Sequence, residues 1–335
     1  MRAKAVRKVS GNQSFAESIT DLVLGHTDLL GIASVPVAPI VNKVTAVSSS
    51  ATRAVMQATV GIAATRVLPP YSKMRFSTWF KRRTQSFVPN KRATVSIFPT
   101  CFIEYMQPEI GRATVEVYER NGIACTLPKG VKCCGAPWLH AGDVARFIEA
   151  AKANVNALIG EVNAQRKIVV AQPTCAYVLK RDYPIYLGTK EANMVAEATF
   201  DTSEYLMRRY REDKSSFETS FTGEVPATIT YHAPCHLQAQ SIGLKSRDLL
   251  KLMGSKVTVV AKCSGIDGTW GYRAKNYEMA KKVAQGLTSA IKKAPQGMVV
   301  GDCGLANYAI TEELSLPVVH PMIVIAKAYG IQSQN

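Results

Sequence analysis

The sequence predicts an α/β protein: two tandem, pseudo-symmetric domains with parallel sheets, preceded by a basic helical N-terminal region. Three observations carry this. From Ala93 onwards, β-branched runs alternate with helical stretches, the pattern of parallel sheets with crossover helices. A three-part cysteine pattern occurs twice, and each part follows one of those runs. The 335 residues, 47% hydrophobic and 20% charged, suffice for two ordinary globular domains.

The first region spans residues 1–92. Of the net charge of +16, +11 lies in the first 95 residues, where 14 Lys and Arg face only Glu17, Asp21 and Asp28. No acid occurs between Asp28 and Glu104. Such a segment predicts contact with an anionic membrane surface or an acidic partner. Nucleic acid is set aside, because the cations lie among apolar runs with no recognised binding module. Asp21–Leu30 and Val41–Val67 read as helices, the second weakened by Ser48-Ser49-Ser50, and Pro69-Pro70 ends the segment. Lys73–Arg83 places Phe76, Trp79 and Phe80 at helical spacing among cations. That composition suits an interfacial amphipathic helix. It equally suits aromatics packed on the protein's own body, and both readings stay open. No run reaches the ~18–20 apolar residues of a membrane span. The start (Arg2, Lys4, Arg7, Lys8) lacks the apolar core of a secretory signal; its Arg/Lys-rich, acid-poor character also resembles an organellar transit peptide.

The second region spans 93–221. Ala93–Pro99 is predicted as a strand, Pro108–Asn121 as a helix and Ile123–Leu127 as a strand. Ala141–Val162 reads as one long helix and Lys167–Ala171 as a third strand. The third region, 222–335, repeats the order. Thr228–His232 is a strand, Ser246–Met253 a helix, Val257–Lys262 a strand, Tyr277–Lys293 a helix and Met298–Gly301 a strand. Pro317–His320 adds a short strand and Met322–Tyr329 a last helix.

Ligands of open parallel sheets collect beyond the carboxyl ends of the strands. Cys101, the pair Cys133-Cys134 and Cys175 follow the three strands of the second region. Cys235, Cys263 and Cys303 follow those of the third. Loops leaving one sheet edge bring thiols together although they are far apart in sequence, so the pattern suggests two metal or iron–sulfur sites. Cys125, in the apolar run Ile123–Leu127, reads as a core thiol instead.

Longer motifs surround these cysteines: Cys101 to Gly111, Lys132-Cys133-Cys134-Gly135-Ala136-Pro137, Tyr231-His232-Ala233-Pro234-Cys235-His236, Gly265 to Tyr272, Asn276-Tyr277 and Val319-His320-Pro321. Together they resemble the cysteine-rich CCG-domain iron–sulfur proteins. That family includes a cysteine-rich subunit of heterodisulfide reductase and subunits of glycolate and lactate oxidation systems. Within it the motifs look most like the cysteine-rich subunits of anaerobic glycerol-3-phosphate dehydrogenases. The resemblance covers roughly Leu30 to Gly330.

The resemblance implies five thiolates per copy: a lone Cys, a Cys-Cys pair and a Cys-x-x-Cys. Gln172 stands at one of these positions in the first copy, and Ser264 and Ala306 at two in the second. The first site then keeps Cys101, Cys133, Cys134 and Cys175, the number a [4Fe-4S] cluster or a tetrahedral zinc requires. The second keeps Cys235, Cys263 and Cys303. That leaves one iron open, a [3Fe-4S] cluster, a substitute ligand from His232, His236 or Asp302, or an empty pocket. A ferredoxin-like module is also implied, yet no cysteine precedes Cys101, so electrons are expected from another chain.

The resulting expectation is an iron–sulfur electron-transfer subunit. It would relay electrons from a flavin-containing dehydrogenase subunit, with a ferredoxin-like subunit, towards quinone. It would sit peripherally on the cytoplasmic face of the inner membrane or, with a transit peptide, on the matrix face of the mitochondrial one. Two other readings stay open: a non-redox accessory subunit with a zinc or vestigial site, and thiol chemistry in the manner of heterodisulfide reductase. No nucleotide fingerprint is present, since Gly265, Gly268 and Gly271 follow a cysteine with the wrong spacing.

Overall fold

The computed structural model describes residues 15–83 and 91–331; the basic start at Arg2–Lys8, read as a transit peptide, lies outside them. Strands β1 (Ala93–Ile97), β2 (Ile123–Thr126), β3 (Lys167–Val170) and β4 (Thr199–Asp201) form one sheet in the order β2-β1-β3-β4. Strands β5 (Thr228–His232), β6 (Lys256–Val260), β7 (Met298–Gly301) and β8 (Val318–Val319) form a second in the order β6-β5-β7-β8. Every pairing is parallel. The two sheets therefore share one topology, as the duplicated pattern predicts. The central strands are buried on both faces because helices cover both sides, and Ser96, Thr230 and His232 are buried polar residues among them. Strand β4 leaves no mark in the sequence: it is three residues, Thr-Phe-Asp, too short for any periodicity.

Three helical expectations need correction. The helix expected over Ala141–Val162 runs from Val144 to Asn163: its start moves past Gly142, whose φ of 84° ends the preceding helix, Ala136–Ala141. Asp21–Leu30 is likewise divided at His26, between Phe15–Gly25 and Thr27–Ser34. The Val41–Val67 stretch forms Ala38–Thr45 and Ser50–Val60, parted at the serines, and ends on Gly61 with φ 72°.

The two sheets share one core. Val95, Ile97 and Val169 of the first and Ile229, Tyr231 and Val300 of the second belong to one buried cluster with Met322, Val324 and Ile325. The last helix, Pro321–Ala328, packs on Pro108–Arg120 of the first domain. The Tyr329 hydroxyl donates to Glu218 O at 2.7 Å and accepts from Asn121.

The N-terminal region is strapped across both domains. Ile62 bridges Arg273, Ala63 N donates to Tyr272 O at 2.9 Å, and Ala274 N donates to Gly61 O at 2.8 Å. Arg273 forms a buried ion pair with Asp21, and Arg66 pairs with Glu312 at 3.2 Å. Arg53 is fully buried and donates to the carbonyls of Thr45, Ala63, Ala64 and Arg66.

The aromatic helix, Phe76–Arg82, resolves the choice left open at Lys73–Arg83 in favour of self-packing. Phe76 is buried in the main core, and Trp79 and Phe80 pack against it. Arg83 lies 4.3 Å over Phe80 and clamps Glu119 through two 2.8 Å bonds. Phe76 is thus inside the molecule, while Trp79 and Phe80 are half-buried against its own core. Among the described residues no single helix is long and apolar enough to cross a membrane. Glu17–Gly25 and Thr27–Thr45 meet that test of length and composition only as a pair bent by 64°.

Candidate functional site

Each cysteine segment begins where a strand of the first sheet ends. After β1, Thr100 caps the helix Cys101–Tyr105, its side chain accepting from Ile103 N. After β2, the chain runs to Cys133-Cys134 and turns at Gly135, whose φ is 86°. A Cβ there would meet Phe147 at 2.9 Å, so the turn and the packing both favour glycine. After β3, Gln172 holds the N-cap position of the helix Pro173–Tyr177, which carries Cys175.

These three loops converge. The sulfurs of Cys101 and Cys133 are 3.9 Å apart, and those of Cys134 and Cys175 are 3.2 Å apart. Cys133 and Cys134 also interact, so the four sulfurs form one continuous group. Cys133, Cys134 and Cys175 are buried and Cys101 is half-buried. Their surroundings are apolar, with Phe98, Ala136, Leu139 and Phe147 in the same cluster.

Buried polar groups lock the Cys133-Cys134 turn. Asn154 accepts from Lys132 N at 2.7 Å and donates to Cys133 O at 3.1 Å. Tyr183 accepts from Asn154 at 2.9 Å and donates to Cys134 O at 2.9 Å. From the N-terminal region, Asp28 Oδ2 accepts from Cys133 N at 2.6 Å, and the neighbouring Thr27 acts to lower the Cys133 thiol. Sequence reasoning misses Asn154, Tyr183, Thr27 and Asp28 as site residues. Only Asn154 gives a signal there, as an amide on the apolar stripe of Val144–Asn163.

The thiols are electrostatically linked. Hydrogen bonds from Cys101 and Cys134 pull the Cys133 thiol well below its ordinary range, against the opposing effect of burial. Bonding to Cys133, with burial, pushes Cys101 up. Bonding to Cys133 and Cys175, with burial, pushes Cys134 up. The Gly135 N–H acts on Cys133 in the same lowering direction. Burial, followed by the Cys133 charge, raises Asp28 to about 6.

The second copy reproduces part of this. Cys235 and Cys263 lie three residues beyond His232 and Val260, which are register partners of β5 and β6. Their side chains are hydrogen-bonded and both are exposed. The Cys235 bond lowers Cys263 to about 6, aided by Gly265 N at 3.4 Å from its sulfur. Cys303 sits elsewhere. It is the buried N-cap of Gly304–Leu314, a place equivalent to Gln172, while Ala306 occupies the place of Cys175. Burial raises Cys303 to about 11, with the main-chain N–H groups of Ala306 and Leu305 opposing, and the thiol charge it feels is that of Cys175. Its neighbour Gly304 donates to Gln172 Oε1 at 3.3 Å, across the domain boundary.

The candidate substitute ligands have other partners. His232 is buried, contacts Lys262 O at 3.1 Å and is lowered by burial to about 4. Asp302 accepts from Ser246 at 2.5 Å and from Tyr231. His236 contacts Thr174 at 3.2 Å and stacks on His140. Cys125 is buried on the main core, as a packing thiol should be. Among the described residues no three His, Cys, Asp or Glu side chains are gathered closely enough for a single metal ion.

The cysteine-rich domain model named CCG matches residues 95–180 and 229–309. The chain is 31% identical over 314 residues to the Escherichia coli anaerobic glycerol-3-phosphate dehydrogenase subunit lettered C, covering 93% of this chain and 77% of that one. It is 27% identical over 235 residues to the Methanothermobacter marburgensis fumarate reductase (CoM/CoB) subunit lettered B, covering 69% of this chain and 44% of that one. It is 26% identical over 224 residues to lactate utilization protein A of Bacillus pumilus, covering 63% and 87% respectively. Two sheets of one topology, each with cysteines at its strand ends, coincide with the two matched segments: the chain belongs to the CCG cysteine-rich domain family and carries two copies of that domain.

Proposed function

We propose that the chain is an iron–sulfur electron-transfer subunit of a flavin dehydrogenase of the glycerol-3-phosphate dehydrogenase type. In this reading Cys101, Cys133, Cys134 and Cys175 hold a [4Fe-4S] cluster. The observation that carries it is the convergence of four sulfurs, from three strand ends, in an apolar surround. The donor set fits such a group, since four thiolates are the full ligand complement of a cubane. A single tetrahedral zinc, with Zn–S of about 2.3 Å, would hold each sulfur pair about 3.8 Å apart, and a cubane would hold them farther apart. Either group would spread the Cys134–Cys175 pair from its 3.2 Å, and metal analysis separates the two.

A bound cluster supplies one-electron redox chemistry. The chain's own residues set the conditions for it. Asn154 and Tyr183 fix the carbonyls of the Cys133-Cys134 turn and so the direction of both sulfurs. The Gly135 N–H donates to the Cys133 sulfur, a bond that stabilises negative charge there. Phe98 and Phe147 exclude water. The exposed pair Cys235 and Cys263, with the remote Cys303, make a weaker second site in this proposal.

In the proposed assembly the protein sits beside a flavin-containing subunit and a ferredoxin-like subunit, peripherally on a membrane and near quinone. Its membrane face is not the aromatic helix. Leu29 (62% exposed), Ile32 (51%), Ile40 (65%) and Val55 (62%) crowd the helices between Thr27 and Val60, where Lys43 is an exposed cation and Arg53 is buried. An exposed apolar surface of this kind suits a lipid layer.

Anaerobic purification with iron, sulfide and zinc analysis tests the reading. About four irons and four sulfides per chain, lost in Cys133→Ser, support it. Zinc alone, or a metal-free protein after reconstitution with iron and sulfide, overturns it.

A further inference from the structure

The N-terminal region reaches the first cysteine site at one place, and the residues there lie outside the cysteine pattern. Asp28 and Thr27 open the helix Thr27–Ser34. The Asp28 carboxylate accepts the Cys133 N–H at 2.6 Å and is also bonded by the Tyr105 side chain. This arrangement is clamped on both sides. Gly25 lies against the Trp138 ring so closely that a Cβ would come within 2.2 Å of it. Gly31 lies against the Tyr105 ring, where a Cβ would come within 2.3 Å. His26 stands edge-on to Trp138, with 4.9 Å between centroids. Two ring contacts therefore fix the segment immediately before and after Asp28.

We infer that Asp28 is a positioning residue of the first site: its carboxylate holds the Cys133 main chain and keeps the reduction potential of a bound cluster low. The inference rests on the iron–sulfur reading of that site. Its physics is electrostatic. Reduction adds an electron to a group already surrounded by thiolates, and a fixed negative charge one peptide away opposes it. Asp28 is half-buried, so solvent and salt screen its charge less than a surface charge. Asp28 also engages the Cys133 N–H, which would raise the potential if it turned to a sulfur instead.

The test is a redox titration followed by electron paramagnetic resonance, on the full chain loaded with iron and sulfide. Asp28→Asn keeps a hydrogen-bond acceptor and removes only the charge. It is expected to retain the iron content of the unaltered protein and show a more positive midpoint potential. Asp28→Ala is expected to shift the midpoint likewise and to lose iron to a chelator several-fold faster. Glu17→Gln, which removes another N-terminal acid paired with Lys275, is expected to change neither. An iron-loaded Asp28→Asn protein with an unmoved midpoint overturns the inference, whatever the folding of the alanine variant. Failure of the unaltered protein to take up iron overturns the reading of the site instead.

Discussion

Gly135 and Gly265 occupy equivalent left-handed positions in the two copies, with φ of 86° and 73°, and each presents its N–H to the sulfur of the cysteine two residues earlier. The duplication is thus visible in a single backbone turn, even where Ser264 has replaced a cysteine. The two glycines differ in what surrounds them. A Cβ at Gly135 would meet the Phe147 ring at 2.9 Å, and one at Gly265 would meet the main-chain oxygen of Ala280 at 2.1 Å. A ring can shift and a helix carbonyl cannot. Gly135→Ala is expected to cost about 1–2 kcal/mol, the usual left-handed penalty, and Gly265→Ala clearly more. Urea unfolding of the two variants measures this; equal losses would contradict it.

Among the cysteines, the structure separates packing thiols from convergent ones. Cys134→Ser and Cys175→Ser each break a 3.2 Å sulfur contact at the first site, and each is expected to lose the iron of that site. Cys125→Ala empties a small volume in the main core and is expected to keep full iron content. Its expected cost is about 1 kcal/mol of stability. Iron analysis and thermal unfolding of the three variants check both halves.

Arg53 organises the N-terminal strap, being fully buried with four carbonyl partners. Arg53→Met keeps the bulk and strands those carbonyls, each at roughly 1–3 kcal/mol if left unpaired. The expected result is local. Amides between residues 38 and 66 should lose hydrogen-exchange protection, while those of β1 and β5 keep theirs. Uniform loss of protection across both sheets would refute a local role.

Asp201 and Asp302 form a buried acidic pair behind the strand ends. Burial, then the charge of Asp302, raises Asp201 to about 8, with Lys180 opposing; burial raises Asp302 to about 6. The fold therefore favours the protonated form. Its stabilising effect is complete below the ordinary value of 3.8 and is lost as pH rises through the folded value. His232 and His320, lowered by burial to about 4, act oppositely, but only below about 6.5. From pH 6.5 to 8 stability is therefore expected to fall, by up to about 2 kcal/mol. Asp201→Asn, which retains a helix-capping side chain, should flatten that slope. Denaturation midpoints across this range decide it.

Membrane association is expected on the exposed apolar face of the N-terminal helices. The double variant Leu29→Glu, Ile40→Glu is expected to reduce binding to anionic phospholipid vesicles at least tenfold. Trp79→Leu, which alters an inward-packed ring, should leave binding nearly unchanged. Vesicle co-sedimentation at low and high salt measures both. Loss of binding in Trp79→Leu alone would return the aromatic helix to the interface.

The two kinds of element are not equally legible. Thr228–His232, Met298–Gly301 and Tyr277–Lys293 are readable to the residue, because each is a β-branched run or an amphipathic stretch bounded by turn residues. The helix break at Gly142 is hidden in an Ala-rich sequence that stays helical in composition on both sides. The aromatic helix is ambiguous for a different reason. Phe76, Trp79 and Phe80 among cations describe an amphipathic face, and the sequence does not say whether lipid or the protein's own core covers it.

By itself, the sequence determined that the chain folds as a duplicated parallel α/β structure and that its patterned cysteines fall at strand ends. Both are local properties, written in runs of a few residues and their turns. Only the tertiary structure decided which sulfurs meet: Cys101 with Cys133, Cys134 with Cys175, and Cys235 with Cys263, while Cys303 lies at the domain boundary. It also decided that Asp28 and Thr27 close the first site from more than 100 positions away. Those meetings depend on strand register, on a shared core and on how the N-terminal strap packs across both domains. No short stretch of sequence encodes such sums of many weak contacts.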